Sequence, residues 1–243
     1  MTAVGKTYVH DYFFKATNKP NDELVCYVSA YGAKVSKFNL AITTLQKLGY
    51  DVIAFDYDSA VLTAGNPQIL LDIIKDVTDH LQKKSNNYKQ TICMGASLGA
   101  FIAYSAQKSV DNAFIGAYAA AGVDPMNAFF SARSFKKIAT AFLSNGYDKI
   151  KLGKAWSSLD VDPSRANFSF PANKSFIAFD GTTDRIVKYK EAKQNVAYWT
   201  SRGIHVKLFP VVGRGHLLTV IYFVRNTRRI VAKAKQHHRS VMI

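Results

Sequence analysis

Short continuous apolar runs alternate along this chain with longer stretches in which apolar residues recur at helical spacing. Leu24–Ser29 (LVCYVS), Asp51–Asp56 (DVIAFD) and Thr91–Met94 have the length and continuity of buried strands. Ala113–Ala119, Ser175–Phe179 and His205–Phe209 read the same way, and Thr7–Lys15 predicts an N-terminal strand. Between these runs the period changes. A helix is predicted from about Ser36, with Phe38, Ile42 and Leu45 on its buried face and Gly49 as its stop. Asn66-Pro67 supplies a cap and a first helical position for Gln68–Lys83, where Ile69, Ile73, Ile74, Val77 and Leu81 form one stripe. Strands apolar on both faces, alternating with helices, predict the α/β class: a mostly parallel central sheet with helices on both faces. The chain is expected to be one such domain over residues 1–243.

Residues 125–170 break this rhythm. They hold a helix-like Phe135–Leu143, then a looser segment with Trp156, Asp160, Asp162 and Pro163. Basic residues (Arg133, Lys136, Lys137, Lys149, Lys151, Lys154) alternate there with Phe129, Phe130, Phe142 and Tyr147. The segment is read as a small cap inserted into the domain, its mixed character suiting either a lid over an amphiphilic substrate or a solvated helix face.

The string TICMGASLGA carries the chemistry. Gly95-Ala96-Ser97-Leu98-Gly99 gives G-x-S-x-G directly after an apolar strand and before helix-like Ala100–Ala106. A serine on a sharp strand-to-helix turn needs small flanking residues, because the turn is strained and neighbouring chain approaches closely. Ser97 is therefore the candidate nucleophile. A carboxylate follows a late strand in Asp180-Gly181-Thr182-Thr183-Asp184, with Asp184 the preferred acid and Asp180 the alternative. An imidazole follows the last strand in Gly213-Arg214-Gly215-His216, making His216 the candidate base. The chain order is nucleophile, acid, histidine.

From Leu24 to the C-terminal helix these motifs resemble the α/β-hydrolase fold superfamily of serine esterases, lipases and thioesterases. Gly181–Asp184 matches its G-x-x-D acid loop and Gly213–His216 its G-x-G-H histidine loop. The family's His-Gly oxyanion loop has Tyr31-Gly32-Ala33 in the corresponding place, with Tyr for His. The resemblance implies an oxyanion hole built from the Leu98 and Ala33 amides, with Gly32 as the alternative donor. It also implies a shortened N-terminal sheet edge, because only one strand precedes Leu24. The implied activity is hydrolysis of an acyl ester or thioester through an acyl-serine, without metal or organic cofactor. Acyl transfer on the same residues and a non-catalytic, anion-binding hydrolase fold are the alternatives.

Composition adds a partner and a compartment. The sequence has 32 Lys+Arg against 17 Asp+Glu, and no acidic residue follows Glu191. The C-terminal stretch, with Leu217, Leu218, Val220, Ile221, Val224 and Ile230 on an apolar side and Arg225–Arg239 outward, predicts a helix on the sheet. Its charge suits peripheral contact with an anionic membrane, and equally an ordinary solvated surface. Nucleic acid is disfavoured for want of any recognised binding module. Cys26 and Cys93, in apolar runs without C-x-x-C spacing, predict free buried thiols in a reducing compartment. With no signal-like N-terminus and no span of membrane length, a cytoplasmic location is expected.

Overall fold

The computed structural model describes residues 8–121, 128–130, 132–157 and 170–242. Seven strands form one sheet: β1 (Val9–Phe14), β2 (Glu23–Val28), β3 (Asp51–Tyr57), β4 (Gln90–Ala96), β5 (Ile115–Ala119), β6 (Ser175–Gly181) and β7 (His205–Val211). Their spatial order is β1-β3-β2-β4-β5-β6-β7, parallel throughout except for β1, which pairs antiparallel with β3 at one edge. The α/β reading of the sequence and its shortened N-terminal edge both hold in this topology.

Each central strand splits its side chains between two cores, as the two-residue period of a strand requires. On β2, Leu24, Cys26 and Val28 face one helical layer and Val25 and Tyr27 the other. The first layer holds α2 (Pro67–Ser85) and α3 (Leu98–Ser109). The second holds α1 (Leu40–Lys47) together with the C-terminal helices. Helix α2 starts as its sequence predicts, with the Asn66 side chain accepting from the Gln68 N–H and Pro67 at the first helical position. Its five-residue apolar stripe is buried. Cys26 and Cys93 lie opposite each other on β2 and β4, both fully buried and unbridged.

Three expectations need correction. Helix α1 begins at Leu40, because the Asn39 side chain caps the Ala41 and Ile42 N–H groups; Phe38 therefore lies outside the helix and is 81% exposed. The segment around Trp156 is partly helical, with α5 at Lys149–Ala155 following α4 (Lys136–Ser144). Trp156 is buried, its Nε1–H donating to the Pro67 carbonyl at 2.9 Å, whereas Asp160, Asp162 and Pro163 lie outside the described residues. After α6 (Tyr189–Ser201), the C-terminal segment forms two helices, α7 (His216–Arg225) and α8 (Thr227–Val241), broken at Asn226. Within α7 the buried face is that of Thr219 and Phe223, so Leu217, Leu218 and Ile221 face outward, and α8 buries Ile230.

Strand β3 carries a carboxylate at each end, and each ties loops together. At the N-terminal end the Asp51 carboxylate accepts from the Lys15 ammonium (3.0 Å), the Ala16 N–H (2.8 Å) and the Tyr88 hydroxyl (2.6 Å). Burial works against this carboxylate, but the three donors overcome it and hold its pKa below the ordinary value. A depressed carboxyl pKa contributes stability that is fully present above the unfolded-state pKa and is lost as pH falls through the folded one. Asp51→Asn is therefore expected to lower stability at neutral pH and to flatten its decline in acid, measured by urea unfolding between about pH 7 and about pH 3. An unchanged acid slope would show that these donors contribute nothing net.

Candidate active site

In the sheet the chain reverses direction between β2 and β4, since β3 lies to one side of β2 and β4 to the other. Open α/β sheets form their ligand crevice at the carboxyl ends of the strands flanking such a switch point. Here those ends carry the Ser29–Ala33 turn and Ser97.

Ser97 joins β4 to α3 with φ 54° and ψ −131°, a left-handed strain that a non-glycine residue holds only when its surroundings enforce it. Its N–H donates to the Ala119 carbonyl at 2.8 Å. Glycine is required on both sides. A Cβ on Gly95 would lie 2.4 Å from the Gly99 carbonyl oxygen, and one on Gly99 would lie 2.1 Å from the Ser29 carbonyl oxygen. The start of α3 is thus pressed against the end of β2, which brings the Leu98 amide beside the turn that leaves β2.

The acid and histidine loops are laced together. Gly181 sits where a Cβ would strike the Arg214 carbonyl oxygen at 2.2 Å, and the Gly213 N–H donates to Thr182 Oγ1 at 2.9 Å. The Thr183 N–H donates to the Arg214 carbonyl at 3.2 Å. This lacing delivers His216, the first residue of α7, between two partners. Its Nδ1 lies 2.9 Å from Asp184 Oδ2 and its Nε2 lies 2.9 Å from Ser97 Oγ. With the neutral ring protonated on Nδ1, that nitrogen donates to the carboxylate, and Nε2 accepts from the serine hydroxyl. The other Asp184 oxygen accepts from the Ile186 and Val187 N–H groups at 2.8 and 3.0 Å. The Asp184 side chain is fully buried, and that of His216 is 16% exposed.

The structure thus separates the two carboxylates that the sequence left as alternatives. Asp184 meets His216, whereas Asp180 is buried at the end of β6 and accepts from the Ala121 N–H at 3.1 Å. Ala121 follows Ala120, a second strained residue with φ 49°, and both line the pocket beside Ser97. Asp180 is in this way the anchor of a pocket wall. These alanines carry no sequence motif, and only a structure could place them at the site.

The expected Ala33 donor is already engaged. Its N–H closes a turn to the Ala30 carbonyl at 3.0 Å, and the Ser29 hydroxyl donates to the Ala33 carbonyl at 3.0 Å. Gly32 takes φ 74° inside this turn. Among the described residues neither the Tyr31 nor the Gly32 N–H has an acceptor, so both amides are available as donors. Asp56, at the other end of β3, anchors the next two residues of the loop: its fully buried carboxylate accepts from the Val35 N–H at 2.8 Å and the Lys34 ammonium at 3.1 Å.

The pocket at Ser97 is narrow and apolar, walled by Leu98, Phe101, Phe135, Ile186 and Val187. The Tyr31 ring meets the Phe135 ring edge-on at 5.4 Å. Helix α4 closes over the 59–64 turn at Gly65, whose φ is 65°; a Cβ there would lie 2.3 Å from the Ala141 carbonyl oxygen. The described residues contain no group of three or more His, Cys, Asp or Glu able to hold a metal ion.

A mostly parallel sheet bearing a strained serine at its switch point, hydrogen-bonded through histidine to a buried carboxylate, defines an α/β-hydrolase. Residues 50–238 match the prolyl oligopeptidase family, and the chain belongs to that family of serine hydrolases. Solved structures share the fold. Pyrococcus horikoshii acylaminoacyl peptidase aligns with a TM-score of 0.68 at 9% identity, over 93% of this chain and 39% of its own length. Paleococcus ferrophilus monoacylglycerol lipase aligns with 0.62 at 12% identity, over 95% of this chain and 100% of its own. A Pyrococcus furiosus esterase aligns with 0.60 at 18% identity, over 94% and 92%. This chain therefore spans about two fifths of the peptidase. No curated protein sequence matches it. No described helix is long and apolar enough to cross a membrane.

Proposed function

We propose that this protein hydrolyses carboxylic esters or thioesters of small acyl groups through an acyl-Ser97 intermediate. The observation that carries this reading is the continuous hydrogen-bonded chain Ser97–His216–Asp184 opening onto a narrow apolar pocket. As Ser97 Oγ attacks the acyl carbon, its proton passes to His216 Nε2. Asp184 stays ionised, holds the imidazole in the required tautomer and stabilises the imidazolium. The Leu98 N–H and the free amides of the Tyr31–Gly32 turn supply the oxyanion donors. His216 then returns the proton to the leaving oxygen or sulfur, which departs and leaves the acyl group on Ser97. A water molecule, deprotonated by His216, releases the acid and restores the serine. No metal or organic cofactor takes part in this reading. Phe129 and Phe135 act as cap residues that bound the acyl pocket, and two buried, unbridged thiols support a reducing, cytoplasmic setting.

The family match favours a second reading on the same residues, cleavage of an acyl–amide or peptide bond. A panel of nitrophenyl esters of increasing chain length, acyl thioesters and peptide nitroanilides separates the two. Turnover of two- to six-carbon esters or thioesters exceeding that of every peptide supports ester hydrolysis; the reverse order supports a peptidase.

The two carboxylates make a sharper internal test. Asp184→Asn should lower kcat by about 10³- to 10⁴-fold, because the amide can favour the wrong imidazole tautomer. Asp180→Asn keeps an oxygen for the Ala121 N–H and should change kcat by less than about tenfold. Equal effects in steady-state assays would contradict these separate roles.

A further inference from the structure

A cluster of cations lies outside the pocket at Ser97, at the free β7 edge of the sheet. On β7, Lys207 and Phe209 are two residues apart and share a face. On α8, Lys233, Gln236, His237 and Ser240 fall at the spacing of one helical stripe. These six residues line a cleft of about 290 Å³.

The cleft is built rather than incidental. Phe209 is fixed by stacking on Phe179 at 5.1 Å, and two ammonium groups converge on it, Lys207 at 5.5 Å and Lys233 at 4.6 Å from its centroid. Among the described residues neither lysine has a carboxylate within ion-pairing distance. That contrasts with Lys235 nearby on the same helix, which reaches Glu23 at 2.6 Å. The third group is His237, whose Nε2 is buried and has no hydrogen-bond partner. Two uncompensated like charges and an unsatisfied ring nitrogen carry an electrostatic cost that an anion in the cleft removes. Every polar side chain lining the cleft can donate, and none is a carboxylate, which suits a tetrahedral oxyanion.

We propose that the cleft between β7 and α8 binds a phosphate group, either of a soluble phosphate or of a phosphomonoester lipid headgroup, through Lys207, Lys233 and His237. This narrows the anionic partner expected from net charge to one site, and it does not depend on the hydrolase reading. Binding is coupled to protonation. Burial pushes the His237 imidazole pKa below its ordinary value, and the charges of Lys207 and His205 add to that against a raising hydrogen bond to the His205 backbone. His237 faces Lys207 and His205 from β7, with Lys233 and His238 on its own helix. A bound dianion favours the imidazolium, so phosphate should raise the His237 titration midpoint.

The full chain should be titrated with inorganic phosphate, with sodium chloride at matched ionic strength as control, following calorimetric binding and melting temperature. Vesicles of phosphatidylcholine with and without phosphatidic acid form a second arm. The expected result is saturable binding of phosphate or of phosphatidic acid vesicles, weakened about tenfold or more in Lys207→Gln/Lys233→Gln. The charge-matched variant Lys83→Gln/Lys84→Gln, on α2, should bind as the wild type does. Circular dichroism checks that both variants fold, and the ring resonances of His237 report its midpoint. Binding of soluble phosphate identifies a small phosphorylated ligand; binding of vesicles alone identifies a lipid headgroup. Equal weakening in both double variants, or no binding in either arm, would overturn the proposal.

Discussion

Ser97→Ala is expected to fold as the wild type does and to lose at least about 10⁴-fold in kcat on any ester that the wild type turns over. The stability change is small because the substitution removes one hydroxyl, whose only hydrogen bond among the described residues is to His216. Alanine tolerates the residue's φ of 54° no worse than serine does, so the turn keeps its strain. The loss of rate is large because the hydroxyl is the atom that forms the covalent bond. His216→Ala should cost a similar factor, since an unassisted serine hydroxyl is a weak nucleophile at neutral pH. Residues acting as one unit are not additive, so Ser97→Ala/His216→Ala should be hardly slower than either single variant. Circular dichroism and steady-state kinetics check all three. A Ser97→Ala protein with more than about a tenth of wild-type activity would remove Ser97 from the mechanism.

Gly99→Ala should lower stability and rate together. The new methyl would sit 2.1 Å from the Ser29 carbonyl oxygen and 2.6 Å from that of Val28. Both are backbone atoms at the end of β2, so no flexible side chain can yield. Either α3 backs away from the sheet or the end of β2 shifts, and overpacking of this kind costs about 1–3 kcal/mol. The same displacement moves the Leu98 amide relative to the Tyr31–Gly32 turn, and a misplaced oxyanion donor costs about 10²- to 10³-fold in kcat. Gly203→Ala is the control. Its φ of 77° makes alanine strained, but open space surrounds the site, so only the backbone penalty of about 1–2 kcal/mol is expected, with kcat unchanged. Urea unfolding and kinetics of the pair distinguish a steric effect at the elbow from general sensitivity to glycine replacement.

What the sequence reveals and what it hides divide along a physical line. Strand positions and the α2 boundaries are legible because continuous apolar runs and an Asn-Pro cap act through local rules. Gly-x-Ser-x-Gly is legible because its glycines answer a steric demand written into five consecutive residues. Asp184 and Asp180 occupy the two ends of one turn, and which of them meets His216 depends on how the β6 and β7 loops interlace. That is tertiary information. Ala33 fits the family's oxyanion position by sequence, yet its amide is consumed by a turn to Ala30, and turn hydrogen bonding is decided by Gly32 and by Ser29 bonding across the loop. Phe38 misleads because an apolar residue in helical register looks buried until a stronger cap, Asn39, starts the helix after it. Leu217, Leu218 and Ile221 show a helix-like apolar pattern, yet α7 packs on the sheet by the other face, that of Thr219 and Phe223.

Activation of Ser97 as a nucleophile can be measured without knowledge of the substrate. The wild-type protein should be treated with a fluorescent fluorophosphonate, digested, and the modified peptide identified by mass. One adduct is expected, on Ser97, absent in Ser97→Ala and formed far more slowly in His216→Ala and Asp184→Asn. A folded wild-type protein left unlabelled, or labelled on another residue, would contradict it.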